Sequence, residues 1–225
     1  MARNSVAVKK PAYYIGIFLS ILLPLLALSS SLVLKNFRVT FENQFLISRV
    51  SQWFALFLLF LYSLKIEKRP FLLWQEQKYS FPALLKEVII TLLWLILAML
   101  VTGILLKAAG SNFESKTLNK TLAVLENNFT LLLLTSISAG IIEELIFRGY
   151  LLTRLDILFQ NKIGAIAVSS FFFGILHYSY ATLAQTIGPT VFGIVLALQY
   201  YRYKNIKILI LSHFLWDLVV LILRT

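Results

Sequence analysis

Long apolar runs interrupted by short charged segments set the pattern of this chain. A helix needs about 20 mostly apolar residues to cross the hydrocarbon core of a bilayer. On that measure seven runs qualify, at roughly 12–34, 46–64, 84–106, 129–150, 163–181, 184–201 and 206–223. The pattern predicts an all-α, polytopic membrane bundle of about seven transmembrane helices, with residues 1–225 forming one integral-membrane domain. Two connections carry patterns of their own. The stretch IEKRPFLLWQEQKYSFP, residues 66–82, sets Trp74, Tyr79 and Phe81 among charges and reads as an interfacial segment. The stretch 107–128 places Leu118, Leu122 and Leu125 at helical spacing, which predicts a short surface helix. Within 184–201, Gly188-Pro189 and the pair Gly193 and Ala197 predict a kinked, closely packed helix that supports the site without contributing chemistry.

Composition narrows the class further. The chain is 59% hydrophobic and 14% charged, too poor in polar residues to cover a soluble domain of 225 residues. It has no cysteine, so disulfides, thiolate metal sites and cysteine nucleophiles are excluded. The net charge of +11 is scattered between the apolar runs. That placement points to anchoring beside anionic lipid and away from nucleic acid. Positive residues also orient a bundle. With a cytoplasmic N-terminus, 13 Lys and Arg fall on the inner side, including Arg3, Lys9, Lys10, Arg154 and Lys204. Seven fall outside, including Lys35, Arg49 and Lys120. The bias predicts N-in and C-out.

Candidate chemistry lies in a few ionisable residues inside the apolar runs. The fourth run carries Glu143, Glu144 and Arg148; the fifth carries His177; the seventh carries His213 and Asp217. The chain has only two histidines, and both lie within predicted spans. Such groups are costly in a bilayer and mark function by default, and they are accommodated most cheaply by converging on a polar cavity. Helical spacing decides which can meet. Glu144 and Arg148 are four apart and can pair, while Glu143, rotated by roughly 100°, cannot share that arrangement equally. One carboxylate is thereby neutralised and the other left available for chemistry. Phe173 and His177 have the same spacing, as do His213 and Asp217.

In order, these residues form EExxxR (Glu143-Glu144-x-x-x-Arg148), FxxxH (Phe173-x-x-x-His177) and HxxxD (His213-x-x-x-Asp217). The set resembles the CPBP family of intramembrane proteases, the CAAX-prenyl-protease and bacteriocin-processing (Abi) proteins. The resemblance covers about residues 129–222, a family-like core within the domain. Asp217 stands where the prenyl-protein-processing members usually have Asn, which makes a prenylated substrate harder to assume. No HExxH, GxGD or GxSxG motif of other protease classes occurs.

The resemblance implies peptide hydrolysis of a membrane-associated substrate with Glu143 as base and His177 holding the water. His213 and Asp217 would face the oxyanion, the aspartate either protonated or orienting His213. Glu144 and Arg148 would fix their helix, and no cofactor would be needed. An alternative uses Glu143, His177 and His213 as a His₂Glu zinc set. Two other classes share the same residues, a small ion- or proton-coupled transporter and a catalytically silent scaffold or bacteriocin-immunity protein. Counted from the predicted cytoplasmic ends, His177 lies deeper than Glu143 and His213. The levels agree if the stretch 149–162 extends the helices, with the site opening towards the cytoplasm.

Overall fold

The computed structural model describes residues 10–34 and 37–225. Arg3, Lys9 and Lys35, used in the charge count, lie outside the described residues. Eight helices follow one another: α1 (Lys10–Leu34), α2 (Phe41–Glu67), α3 (Phe81–Ala108), α4 (Lys116–Glu126), α5 (Phe129–Phe159), α6 (Lys162–Tyr180), α7 (Ala184–Tyr203) and α8 (Ile206–Arg224). The fold is all-α, as the apolar pattern predicts. Seven long helices occupy the places of the seven predicted spans. Among the described residues, six of them (all but α7) are long and apolar enough to cross a membrane.

The shortfall of α7 has a physical reason. It carries Gln185, Gln199, Tyr200, Tyr201 and Arg202, and it packs against α3 and α6. Phe192, Leu196, Ala197 and Tyr200 are buried there by protein. A helix enclosed by its neighbours does not need an apolar outer face. By contrast, α3 exposes Ile89, Leu93, Ile96 and Leu100 along one side, the surface that hydrocarbon would cover.

Local sequence sets the helix ends. Asn128, Asn161 and Asn205 each cap a following helix, their side chains accepting backbone N–H groups of the first turn. The stretch 149–162 does continue its helix, running to Phe159, but it is no free amphipathic extension. Tyr150, Leu151, Leu152 and Leu155 are buried in the main core. Arg154, counted above as an inner-side charge, is fully buried. Its Nη1 donates to Phe71 O (2.6 Å), its Nη2 to Glu67 Oε2 (2.8 Å), and its guanidinium lies 3.7 Å from the Tyr150 ring centroid. Tyr150 also donates to Glu67.

These contacts fasten segment 68–80 to α5 at one end of the bundle. Gln77 N donates to Lys204 O (2.8 Å) and Asn205 Nδ2 to Gln77 O (2.7 Å), which fastens it to α7 and α8 as well. Trp74 packs on Tyr200 and Tyr201, and Tyr79 donates to Tyr203 O (3.1 Å). Of the three aromatics expected at the interface, Phe81 alone is strongly exposed; Trp74 and Tyr79 pack on protein. At the opposite end, α4 forms where the leucine spacing placed it. It buries Leu118 and Leu125, and Ser115 Oγ donates to Tyr180 O (2.6 Å).

Close helix contacts position the site. A Cβ on Gly140 would lie 2.9 Å from Ile210 O, so this glycine lets α5 and α8 approach backbone to backbone. A Cβ on Gly193 would stand 3.2 Å from both Arg148 Nη2 and the Ser170 side chain. The small residue predicted for close packing is therefore what seats α7 beside the buried arginine.

Candidate functional site

Glu143, His177, His213 and Asp217 come from three helices and meet in one cavity of about 200 Å³. Each arrives by a distinct local route. α5 is regular through Glu144 and then winds with π geometry over Leu145–Leu152, a local widening frequent at functional sites. α6 is regular to Leu176; His177 opens a final 3₁₀ turn that ends at Ala181, whose φ is +62°. Nδ1 of His177 donates to Phe173 O (2.8 Å), which leaves Nε2 facing the cavity. His213 and Asp217 project from successive turns of α8, with Nε2 and Oδ2 3.6 Å apart.

The two glutamates are placed very differently. Glu144 is fully buried, and its Oε1 accepts from Arg148 Nη1 at 2.7 Å and from His213 Nδ1 at 2.8 Å. The glutamate–arginine pair expected from spacing is therefore present, and it also reaches across to α8. Glu143 is turned into the cavity with about 20% of its side chain exposed. Its Oε2 stands 4.0 Å from Nε2 of His177 and 4.0 Å from Nε2 of His213. A gap of that size is bridged by one water at about 2.8 Å from each side.

Phe173 is buried at the centre of the cluster. Its ring lies 4.9 Å from that of His177 and 6.2 Å from that of His213, and Arg148 stacks over it at 4.3 Å. One ring thus backs both imidazoles and the structural cation. Phe192 of α7 packs against His213 at 4.8 Å, a supporting contact from the helix expected to back the site without contributing chemistry. Aromatic spacing within α7 carries no sign of which helix it will face. Arg49 on α2, counted above as an outer-side charge, lines the cavity too.

The cavity lies on the α4 side of the cluster. Leu118, Thr121 and Leu125 of α4 form part of its wall, with Tyr180 at the end of α6 and Leu221 near the end of α8. Towards segment 68–80 the space is filled by Ile146, Phe147 and Tyr150, all buried. The extension of α5 over 149–162 packs as core, and the cavity wall is built on the α4 side of the cluster.

A His₂Glu zinc set would have to close up from the positions these side chains hold. Zinc bound tetrahedrally at about 2.0–2.1 Å from each donor draws its donors to within about 3.4 Å of one another. Here Glu143 stands 4.0 Å from both imidazole nitrogens. Among the described residues no group of three or more His, Asp or Glu side chains is placed to hold a metal ion.

A membrane helical bundle with a buried, histidine-flanked carboxylate is the class that fold and site define. Residues 125–219 match the family model described as type II CAAX prenyl endopeptidase Rce1-like, in keeping with the CPBP resemblance. That stretch contains all seven motif residues, from Glu143 to Asp217. No curated protein and no solved structure gives a match. The matched stretch spans less than half of the 225-residue chain.

Proposed function

We propose that the chain is a glutamate-dependent intramembrane endopeptidase that works without a resident metal. The observation that carries this reading is the position of Glu143, partly exposed in an apolar cavity and 4.0 Å from two imidazole Nε2 atoms.

With Nδ1–H of His177 committed to Phe173 O, a neutral His177 presents the lone pair of Nε2. Water between Glu143 and His177 can donate one proton to each and turn its oxygen lone pair on a substrate carbonyl. As the oxygen–carbon bond forms, Glu143 takes the water's proton and the carbonyl π electrons move onto oxygen. His213, its Nδ1–H held by Glu144, and Asp217 stand beside that oxygen. A donor aimed where charge develops is among the larger contributions an active site makes. Asp217 contributes as a protonated acid, because an ionised carboxylate would repel the oxyanion. Collapse of the adduct re-forms the carbonyl and breaks the carbon–nitrogen bond, and Glu143 returns its proton to the departing amine.

The buried Glu144–Arg148 pair serves by position. It is charge-neutral, and because Glu144 takes Nδ1–H, His213 reaches the oxyanion as a donor only as the imidazolium, whose Nε2–H points into the cavity.

The test is turnover of fluorogenic membrane peptides by purified protein and by Glu143→Gln. Wild type should cleave and Glu143→Gln should fall by about 10²–10⁴-fold, the usual worth of a general base. Equal rates for the two would overturn the assignment of Glu143, and inert wild type would favour a silent scaffold on the same fold.

A further inference from the structure

Arg49 carries a charge that the hydrolytic scheme does not use. It lies roughly 12 Å into α2, counted from the helix start, a depth at which a cation is costly unless it has a task. Its Nη1 donates to Gln52 Oε1 (3.1 Å) and its guanidinium lies 5.1 Å from the Phe45 ring centroid. It forms no ion pair with any carboxylate among the described residues. Both Arg49 and Gln52 line the cavity that holds Glu143 and His213. One turn further along α2, Trp53 Nε1 donates to Ser138 Oγ of α5 (3.1 Å), which fixes this face of α2 against the helix bearing the glutamates. Much of the remaining wall is apolar, including Leu118, Leu125 and Val220.

We infer that Arg49 is a substrate-binding residue that receives a carboxylate of the bound peptide in the cavity it shares with Asp217 and the rest of the hydrolytic cluster. A planar guanidinium with free donors, set in an apolar wall, recognises a carboxylate through paired charge-assisted hydrogen bonds. The carboxylate can come from the peptide's own C-terminus or from an acidic side chain. The apolar wall takes the neighbouring aliphatic residues, so the ligand class is a short hydrophobic peptide with one negative charge. The inference names a substrate feature for the proteolytic site proposed above, yet binding can be measured without turnover.

The experiment is fluorescence anisotropy with dansylated Leu-Leu-Val-Leu peptides and detergent-purified protein. Three probes are compared: the free acid, the C-terminal amide, and an amide ending in Glu. Wild type should bind at least one acid form about tenfold or more tightly than the neutral amide, the scale of a hydrogen bond to a charged group. Arg49→Gln should remove that preference, with Arg49→Lys keeping part of it. Whichever acid form gains identifies the source of the carboxylate. Equal affinity of wild type for all three probes, no binding of any, or a preference that survives in Arg49→Gln overturns the inference. The wild-type comparison needs no variant to fold. A protein that shows the preference and cleaves nothing would refute the proteolytic reading alone.

Discussion

Nδ1 of His213 donates to Glu144 Oε1 at 2.8 Å, joining two residues 69 positions apart on α8 and α5. The same oxygen takes Arg148 Nη1 at 2.7 Å. One buried carboxylate therefore serves both as the counter-ion of a fully buried arginine and as the anchor of an imidazole whose other nitrogen faces the cavity. The second glutamate of the motif is thereby tied to the geometry of the first.

Separable effects should follow from cutting each arm. Arg148→Ala leaves Glu144 buried without its cation, a change that typically costs ~3–5 kcal/mol, and folded yield should drop. Glu144→Gln leaves Arg148 unpaired and should also melt earlier, but the folded fraction should be slower by on the order of 10²-fold because His213 is no longer held. Detergent melting curves combined with activity per folded molecule separate the two. Normal specific activity in folded Glu144→Gln would show that His213 needs no anchor.

Asp217 offers a test of the oxyanion arrangement. Its Oδ2 lies 3.6 Å from His213 Nε2, and its side chain is partly exposed to the cavity. An amide at this position is a hydrogen-bond donor at every pH. Asp217→Asn should therefore retain most activity, while Asp217→Ala should lose on the order of 10²-fold. If Asp217→Asn were as impaired as Asp217→Ala, the carboxylate would be acting through its charge on His213 and not as a donor.

The sequence displayed the local part of this site and hid the non-local part. Six ionisable residues inside apolar runs are conspicuous because a bilayer makes them costly, and spacing of four shows that Glu144 meets Arg148 and that Phe173 meets His177. Nothing in a linear pattern shows that Gly140 brings α5 close enough to α8 for Glu144 to reach His213. Arg154 counts as an inner-side charge because its partners, Glu67 and Phe71, precede it by more than 80 residues. Arg49 counts as an outer-side charge because a linear pattern does not show that its face of α2 lines the cavity. The helices themselves follow from apolar length alone, but the end at which the cavity opens depends on where α4 folds, and that is set by tertiary contacts with α5 and α6.

Metal dependence follows from the spacing of the donors. With Glu143 4.0 Å from both imidazoles, the site suits a bridging water better than a shared ion. Activity should survive exhaustive chelation, and elemental analysis of the pure protein should show far less than one zinc per chain. Near-stoichiometric zinc, lost together with activity and restored by zinc alone, would refute the metal-free mechanism and would require the three side chains to close up in the working enzyme.

The side of the membrane that the cavity faces can be decided with single cysteines, because the chain has none of its own. Lys78 is exposed in segment 68–80, at the end to which the charge count assigns 13 of the basic residues. Lys120 is exposed on α4, beside the cavity. An excess of Lys and Arg keeps a loop cytoplasmic, so the charge count predicts segment 68–80 inside and α4 outside. A membrane-impermeant maleimide added to intact cells should then label Lys120→Cys and spare Lys78→Cys, with both labelled after lysis. That result would place the cavity on the non-cytoplasmic side and direct the search for substrates to exported or surface-anchored peptides. The reverse labelling would turn the bundle over, put the cavity towards the cytoplasm, and show that the burial of Arg154 and the placement of Arg49 in the cavity make the simple count of basic residues a poor guide here.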